Sequence, residues 1–356
     1  MGNSPNQSKP INSKHQYSFK YIIGKGGFGQ VWLVQDKKSK ASFALKEMSK
    51  ARIVNRSSVH SVMNERKLLS MLKHPFLVNM QSAFQDNSHL YLVMDLMSGG
   101  DLRKHLNYRK QFSEAETKFF TACIITGLEY LHLNKVIHRD IKPENLVMDS
   151  RGYLRITDLG IARRLVPDNG KDTSGTPGFM APEVICRQNH GIGVDYFALG
   201  VIIHEFMTGY RPYNGRSRKE LKDMMLTKQA QLKKSQVPPD WSMDSVDFIN
   251  KLIMRRPIDR LGRNGPSELK NHSWFRGFDW KKLFAKTIRA PYKPSENRNL
   301  QFRRFEYFES DTESLNTKKP ITGLFDGYDM ELLVNNNHDQ QTMNACLLYT
   351  SDAADE

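Results

Sequence analysis

At 356 residues, 39% of them hydrophobic, the chain is long enough for two packed lobes and a tail. Its formal net charge of +15 raises nucleic acid or an acidic membrane as partners, but no basic run is interleaved with aromatics, so the charge reads as a solvated basic surface and no nucleic-acid partner is expected. Three scattered cysteines (Cys123, Cys186, Cys346) exclude a disulfide framework and a zinc set, and the longest apolar run, Tyr196–Met207, falls short of the ~20 residues of a membrane span.

Residues 1–16, with Asn, Ser, Gln and Pro, read as a disordered leader without a signal peptide. Gly2 would be exposed by loss of Met1, yet Asn6 stands where an acylation signal wants Ser or Thr, and Pro5 departs from it too. Myristoylation of Gly2, with the membrane contact it would bring, is the lesser alternative. From Tyr17 the pattern is β: Tyr21-Ile22-Ile23 and Val31-Trp32-Leu33-Val34 form a hairpin about a glycine-rich turn. Ser42–Met48 is a third strand, whose period of two sets Ala44 and Lys46 on one face and Phe43 and Leu45 on the other.

Residues 57–72 form a helix with Val62, Glu65 and Leu69 on one face. A carboxylate on an apolar face needs a cation. Lys46 is the candidate, against a solvated Glu65 beside Arg66. Leu90–Met97 is a further strand, ended by Ser98-Gly99-Gly100. Helical patterns follow, first Glu114–Leu133, then Tyr196–Met207, which is apolar nearly all round and therefore buried. Asp195 is placed to cap that second helix. Val237-Pro238-Pro239 breaks the next region, and Trp274-Phe275 close the globular part.

Three stretches carry chemistry. Gly24-Lys25-Gly26-Gly27-Phe28-Gly29, with Val31, fits G-x-G-x-x-G-x-V; the Rossmann fingerprint shares these glycines, but here they lie between strands and open no helix. Glycine lets backbone N–H groups approach phosphate oxygens, and Lys46 on the next strand is placed for the α- and β-phosphates. The octapeptide His138-Arg139-Asp140-Ile141-Lys142-Pro143-Glu144-Asn145 then groups a base, a cation and a metal ligand, with Asp158-Leu159-Gly160 soon after. Phosphoryl transfer needs an in-line hydroxyl, Mg²⁺ on the phosphates, and positive charge where negative charge spreads. Asp140 can accept the hydroxyl proton, Lys142 can touch the γ-phosphate, and Asn145 and Asp158 can hold the metal.

With these motifs in order, the chain over roughly residues 19–330 resembles a eukaryotic serine/threonine protein kinase of the AGC group. Further marks are Asn64-Glu65-Arg66, His74-Pro75-Phe76-Leu77-Val78, Gly99-Gly100-Asp101-Leu102, Ser174-Gly175-Thr176-Pro177, Ala181-Pro182-Glu183 and Ala290-Pro291-Tyr292-Lys293-Pro294. The chain is similar to the cyclic-nucleotide-dependent and YANK branches. The resemblance implies an α+β bilobal fold. It sets a β-rich small lobe with one main helix (19–96) beside a helical large lobe (98–275), with a tail at 276–330.

For the site, the resemblance implies ATP with Mg²⁺, or Mn²⁺ in its place. Val31 and Ala44 would cover one face of adenine and Val147 the other. Met94 would be the gatekeeper, and the backbone of Asp95-Leu96-Met97 the hinge. Lys46 would pair with Glu65, and Glu183 with Arg260. Thr176 would bond Asp140 and Lys142, favouring Ser/Thr acceptors. Asp101 and Glu144 match positions that bind arginines N-terminal to the acceptor in basophilic relatives; Asp101 can alternatively serve the ATP ribose.

Three departures stand out. Leu159 replaces the usual Phe after the metal-binding Asp and would join Leu69, Met80 and His138 in an apolar spine. Asp172 stands where many relatives carry a phosphothreonine that Arg139 would clamp, so a carboxylate gives weak standing order; Thr173 beside it is the alternative target of an upstream kinase. In the tail, Phe302, Phe305, Tyr307 and Phe308 suggest a tether over the cleft. Phe325-Asp326-Gly327-Tyr328-Asp329-Met330 resembles the AGC hydrophobic motif, expected to dock beside the 57–72 helix and hold Glu65 toward Lys46.

Residues 331–356 read as disordered, and 346–356 resemble the translation of a sequencing adapter. The expected protein is thus a cytoplasmic, monomeric kinase acting on protein serine and threonine, with nuclear or membrane-associated sites as alternatives. From another class, a nucleotide-binding pseudokinase scaffold is the second reading.

Overall fold

A computed structural model of the protein describes residues 13–294 and 322–331. The expected tether at 302–308, Gly2 and Cys346 lie outside these residues. The leader is shorter than expected, since Lys14–Gln16 form a 3₁₀ turn leading into the first strand.

The small lobe is an antiparallel sheet of β1 (Tyr17–Lys25), β2 (Gly29–Asp36), β3 (Ser42–Ser49), β4 (Met80–Gln85) and β5 (His89–Asp95), in the order β1-β2-β3-β5-β4. Alternation gives it two faces. Tyr17, Val34, Leu45, Phe84, Tyr91 and Val93 form a compact cluster on one, with Phe43 packed against it. Met48 joins the main core, and Ala44 and Lys46 share its face by the same alternation. Two helices follow β3. α1 (Lys50–Asn55) is short, and α2 (Val59–Met71) buries Val62, Glu65, Leu68 and Leu69, as the pattern over 57–72 predicts.

The large lobe begins with α3 (Leu102–Arg109) and α4 (Glu114–Leu133). α4 starts at a capping box: Ser113 Oγ accepts from Glu116 N–H, and the Glu116 carboxylate accepts from Ser113 N–H. α6 (Gly193–Thr208) is buried along nearly its whole length. It packs against α8 (Met243–Leu252) so closely that a Cβ at Gly200 would stand 2.7 Å from Leu252 Cβ.

Between these helices run α5 (Pro182–Ile185) and α7 (Arg218–Thr227). The Glu183–Arg260 pair is fully buried, with bonds of 2.6 and 2.9 Å, and Arg260 Nη1 also donates to Gly193 O. Removing one partner would strand a buried charge, at a cost of about 3–5 kcal/mol. Trp274 and Phe275 are buried as expected, with Trp274 Nε1 donating to Glu114 Oε1. Residues 276–294 then run back along the lobe: Tyr153 Oη donates to Ile288 O, and Tyr292 Oη meets His105 Nδ1 at 2.8 Å.

The carboxy-terminal segment reaches the small lobe. Met330–Glu331 add a short strand, β6, to the edge of β4, with Met330 opposite Ala83. Phe325 is 3% exposed and Tyr328 0%, both within the main core, and Lys50 Nζ lies 5.6 Å above the Phe325 ring. Arg66 Nε donates to Tyr328 O at 2.8 Å, and the Asp329 carboxylate accepts from Gln85 N–H and Nε2. The expected docking beside the 57–72 helix is therefore present, and Arg66 is engaged here rather than beside Glu65.

Candidate active site

The glycine-rich turn joins β1 to β2, with Gly26 N–H donating to Gly29 O at 2.8 Å. Gly29 must be glycine, because a Cβ there would collide with Glu47 O on the adjacent strand. Opposite Val31 in the ladder is Lys46. Lys46 Nζ donates to Glu65 Oε1 at 2.8 Å and Oε2 at 3.0 Å, so the sheet and α2 are joined by the predicted ion pair. Burial pulls the Lys46 affinity for its proton down, but Glu65 and Asp158 outweigh it and hold the ammonium charged. These residues enclose a cavity of about 350 Å³, lined by Gly26–Gly29, Val31, Lys46, Glu65, Asp158 and Gly160.

The polar octapeptide is held from below. Asp195 lies within the first turn of α6 and does not cap it: Oδ2 accepts from His138 N–H at 2.9 Å and Oδ1 from Arg139 N–H at 2.8 Å. His132 Nε2 is 2.8 Å from Asp195 Oδ2. The capping expectation fails because the helix begins three residues earlier than expected, which aims this carboxylate at another loop. Arg139 and Asp158 both adopt left-handed backbone, with φ of 67° and 65°. Such strain costs roughly 1–3 kcal/mol per residue and persists where surrounding bonds impose it.

Asp140 sits at the centre. Its Oδ1 accepts from the Thr176 hydroxyl at 2.6 Å and Thr176 N–H at 3.1 Å; its Oδ2 accepts from Lys142 Nζ at 2.7 Å and Asn145 Nδ2 at 3.1 Å. Burial pushes this carboxyl up, but the Lys142 and Thr176 bonds prevail and hold it below the usual aspartate range. Lys142 Nζ also donates to Thr176 Oγ1 at 2.7 Å. With Asn145 Nδ2 occupied, its Oδ1 is the oxygen left for a hard cation, and Asp158 is an exposed carboxylate bordering the cavity. This all-oxygen donor pair fits Mg²⁺ or Mn²⁺.

Toward the expected adenine end, Ala44 is buried opposite Met94 in the β3–β5 ladder, while Val31, Met97 and Val147 are half-buried. The Asp95 side chain bonds Arg155, Asn79 and Gln81, so only its backbone remains for a hinge role. Gly24 and Lys25 lie in the end of β1, and Phe28 faces Arg56 at 5.9 Å. Leu69, Met80, His138 and Leu159 are all buried. Asp172 reaches Arg139 Nη1 at 3.1 Å.

Two of the expected binding carboxylates are already engaged. Asp101 caps α3, its Oδ1 accepting from Lys104 N–H at 3.0 Å. Glu144 accepts from Arg103 Nε at 2.8 Å, and Arg103 also forks onto Glu205. Sequence reasoning missed Arg103 and Glu205. They stand 102 positions apart, and no period or motif links them.

A family model described as Protein kinase domain matches residues 17–275. The chain is 38% identical over 275 residues to cAMP-dependent protein kinase type 3 of Saccharomyces cerevisiae, covering 76% of this chain and 67% of the relative. It is 34% identical over 292 residues to a cAMP-dependent protein kinase, catalytic subunit-like, of Caenorhabditis elegans, covering 82% and 72%. With the cAMP-dependent protein kinase catalytic subunit of Dictyostelium discoideum it shares 34% over 324 residues, covering 90% of this chain and 49% of that protein, so it spans about half the length of that relative. The chain belongs to the protein kinase family, within its AGC group of serine/threonine kinases.

Proposed function

We propose that the chain transfers the γ-phosphate of ATP to serine and threonine hydroxyls of protein substrates. The observation that carries this reading is the Asp140 carboxylate, kept ionised and oriented by Thr176 and Lys142, together with a separate Lys46–Glu65 pair that shares its cavity with Asp158. Asp140 orients the acceptor hydroxyl and takes its proton as the bond to phosphorus forms. Lys142 offsets the charge spreading over the transferring phosphoryl group, and Lys46 holds the α- and β-phosphates. Asn145 and Asp158 are the residues proposed to hold the divalent metal, which when bound neutralises phosphate charge. The glycine-rich turn supplies backbone N–H groups and excludes water from above.

Val31, Ala44 and Val147 are proposed to sandwich adenine, with Met94 behind it and the Asp95–Met97 backbone at its edge. A preference for basic residues before the acceptor would have to be met by Asp101 and Glu144, which already bond Lys104 and Arg103. Asp172, which meets Arg139, is proposed to give part of the order a phosphate would give at that position, and Thr173 is the candidate for an upstream kinase. Free thiols at Cys123 and Cys186 suit a reducing cytoplasm, and no helix among the described residues is long and apolar enough to cross a membrane. We take the protein to act as a monomer. Against the scaffold reading stands the complete set Lys46, Glu65, Asp140, Asn145 and Asp158.

The test is phosphoamino-acid analysis of a protein substrate mixture after incubation with the purified chain, Mg²⁺ and γ-labelled ATP. Label on serine and threonine is expected. Label on tyrosine alone, or nucleotide binding without any label, contradicts the reading.

A further inference from the structure

On the side of the site that offers carboxylates to a peptide, Glu144 is already engaged by the chain's own arginine. Arg103 donates from Nε to Glu144 Oε1 at 2.8 Å, and from Nη1 and Nη2 to Glu205 Oε1 and Oε2 at 2.8 and 3.1 Å. Glu205 is buried on α6, so the fork has a fixed base. Asp101 is no freer, because Oδ1 caps α3 and Oδ2 meets Lys104 Nζ at 3.0 Å. A peptide arginine would have to share the Glu144 carboxylate with an internal one that already holds Oε1.

On the side of Thr176 the charge is reversed. A cavity of about 400 Å³ has Pro177 and Met180 in its wall and Arg187, Arg218, Lys219 and Lys222 around it. Pro177 directly follows Thr176, whose hydroxyl bonds Asp140 at 2.6 Å, so the cavity adjoins the point of transfer. All four cations are exposed, and none takes part in an ion pair among the described residues. The acids of α7, Glu220 and Asp223, do not line the cavity, and Glu220 is held by Arg216 N–H at 2.6 Å. Four like charges around one opening repel a basic peptide and attract an acidic one.

Resting on the kinase reading above, we propose that the substrate carries acidic side chains immediately after its serine or threonine, seated against these cations, and that Arg103 removes the demand for a basic residue before it. The cavity takes the following residue because Asp101 and Glu144 match the positions that face residues preceding the acceptor.

Three synthetic serine peptides test this with the full chain and Mg·ATP: one with two glutamates after the serine, one with two alanines there, and one with arginines two and three positions before it. The glutamate peptide is expected to exceed the alanine peptide about tenfold in kcat/KM at about 0.15 M salt, the gap narrowing as salt screens it. The arginine peptide should be no better than the alanine one. Charge reversal by Arg218→Glu, Lys219→Glu and Lys222→Glu should bring the glutamate-to-alanine ratio to about one or below. Arg103→Ala should raise the arginine peptide relative to the alanine peptide. Equal rates for the glutamate and alanine peptides, or preference for the arginine peptide in the unsubstituted chain, overturn the proposal and leave the kinase reading standing. Without turnover of any peptide the kinase reading fails. Fluorescence anisotropy then decides the surface: tighter binding of the glutamate peptide sustains it, and no difference overturns it.

Discussion

Asp172 Oδ2 stands 3.1 Å from Arg139 Nη1, joining the segment before Thr176 to the residue beside Asp140. Arg139 is buried and its Nε and Nη2 donate to Ile161 O, while Asp172 is half-exposed. A single carboxylate gives about half the charge of a phosphate, and partly exposed pairs contribute about 1 kcal/mol or less. Asp172→Ala should therefore lower kcat/KM roughly two- to fivefold without abolishing turnover. Steady-state kinetics on protein free of phosphate at Thr173, verified by intact mass, checks this; unchanged kinetics would remove Asp172 from the account.

The docked tail makes a second prediction. Phe325 and Tyr328 each bury a ring against the small lobe, about 2 kcal/mol apiece by area. Phe325→Ala with Tyr328→Ala should lower the melting temperature and reduce kcat, because α2 then loses the support that keeps Glu65 on Lys46. Calorimetry and kinetics that both match the parent protein would show that the tail does not brace this helix.

His74 gives a pH dependence of stability. Burial, then the nearby Lys286, Lys270 and Arg155, push its proton affinity down to about 3, and its ring stacks on Tyr130 at 4.6 Å. The unfolded chain takes up a proton below the ordinary histidine value near 6.5, whereas the folded chain does not until about 3. Stability is thus lost as pH falls through that window, by about 2 kcal/mol from this group between pH 7 and 5. Denaturant titrations should show the loss in the parent and a shallower acid slope in His74→Phe. Equal slopes would contradict the assignment.

Much of this was legible because local chemistry fixed it. The Glu114–Leu133 helix follows from its apolar pattern, and the β3 alternation put Lys46 and Leu45 on opposite faces. Glu65 could be assigned a partner because an unpaired carboxylate on a buried face is untenable. What stayed hidden depends on where distant elements meet. Asp195 looked like a helix cap, yet a three-residue shift in the helix start turns it to the loop at His138 and Arg139. Glu144 looked free for a substrate because Arg103 meets it, and forks onto Glu205, only in the folded chain, whereas the Asp101 cap on α3 is a local contact with Lys104. The edge strand at Met330 is two residues long, too short for any periodicity to mark.

Asp140→Asn is the most direct measurement. Asparagine keeps the shape and the bonds to Thr176 and Lys142 can rearrange around it, but the proposed proton acceptor is lost, which would cost at least about 10²-fold in rate. The account predicts that the variant binds ATP with affinity near that of the parent while its phosphorylation of serine and threonine substrates falls by that factor or more. Turnover within a few-fold of the parent, at matched ATP binding, would contradict it.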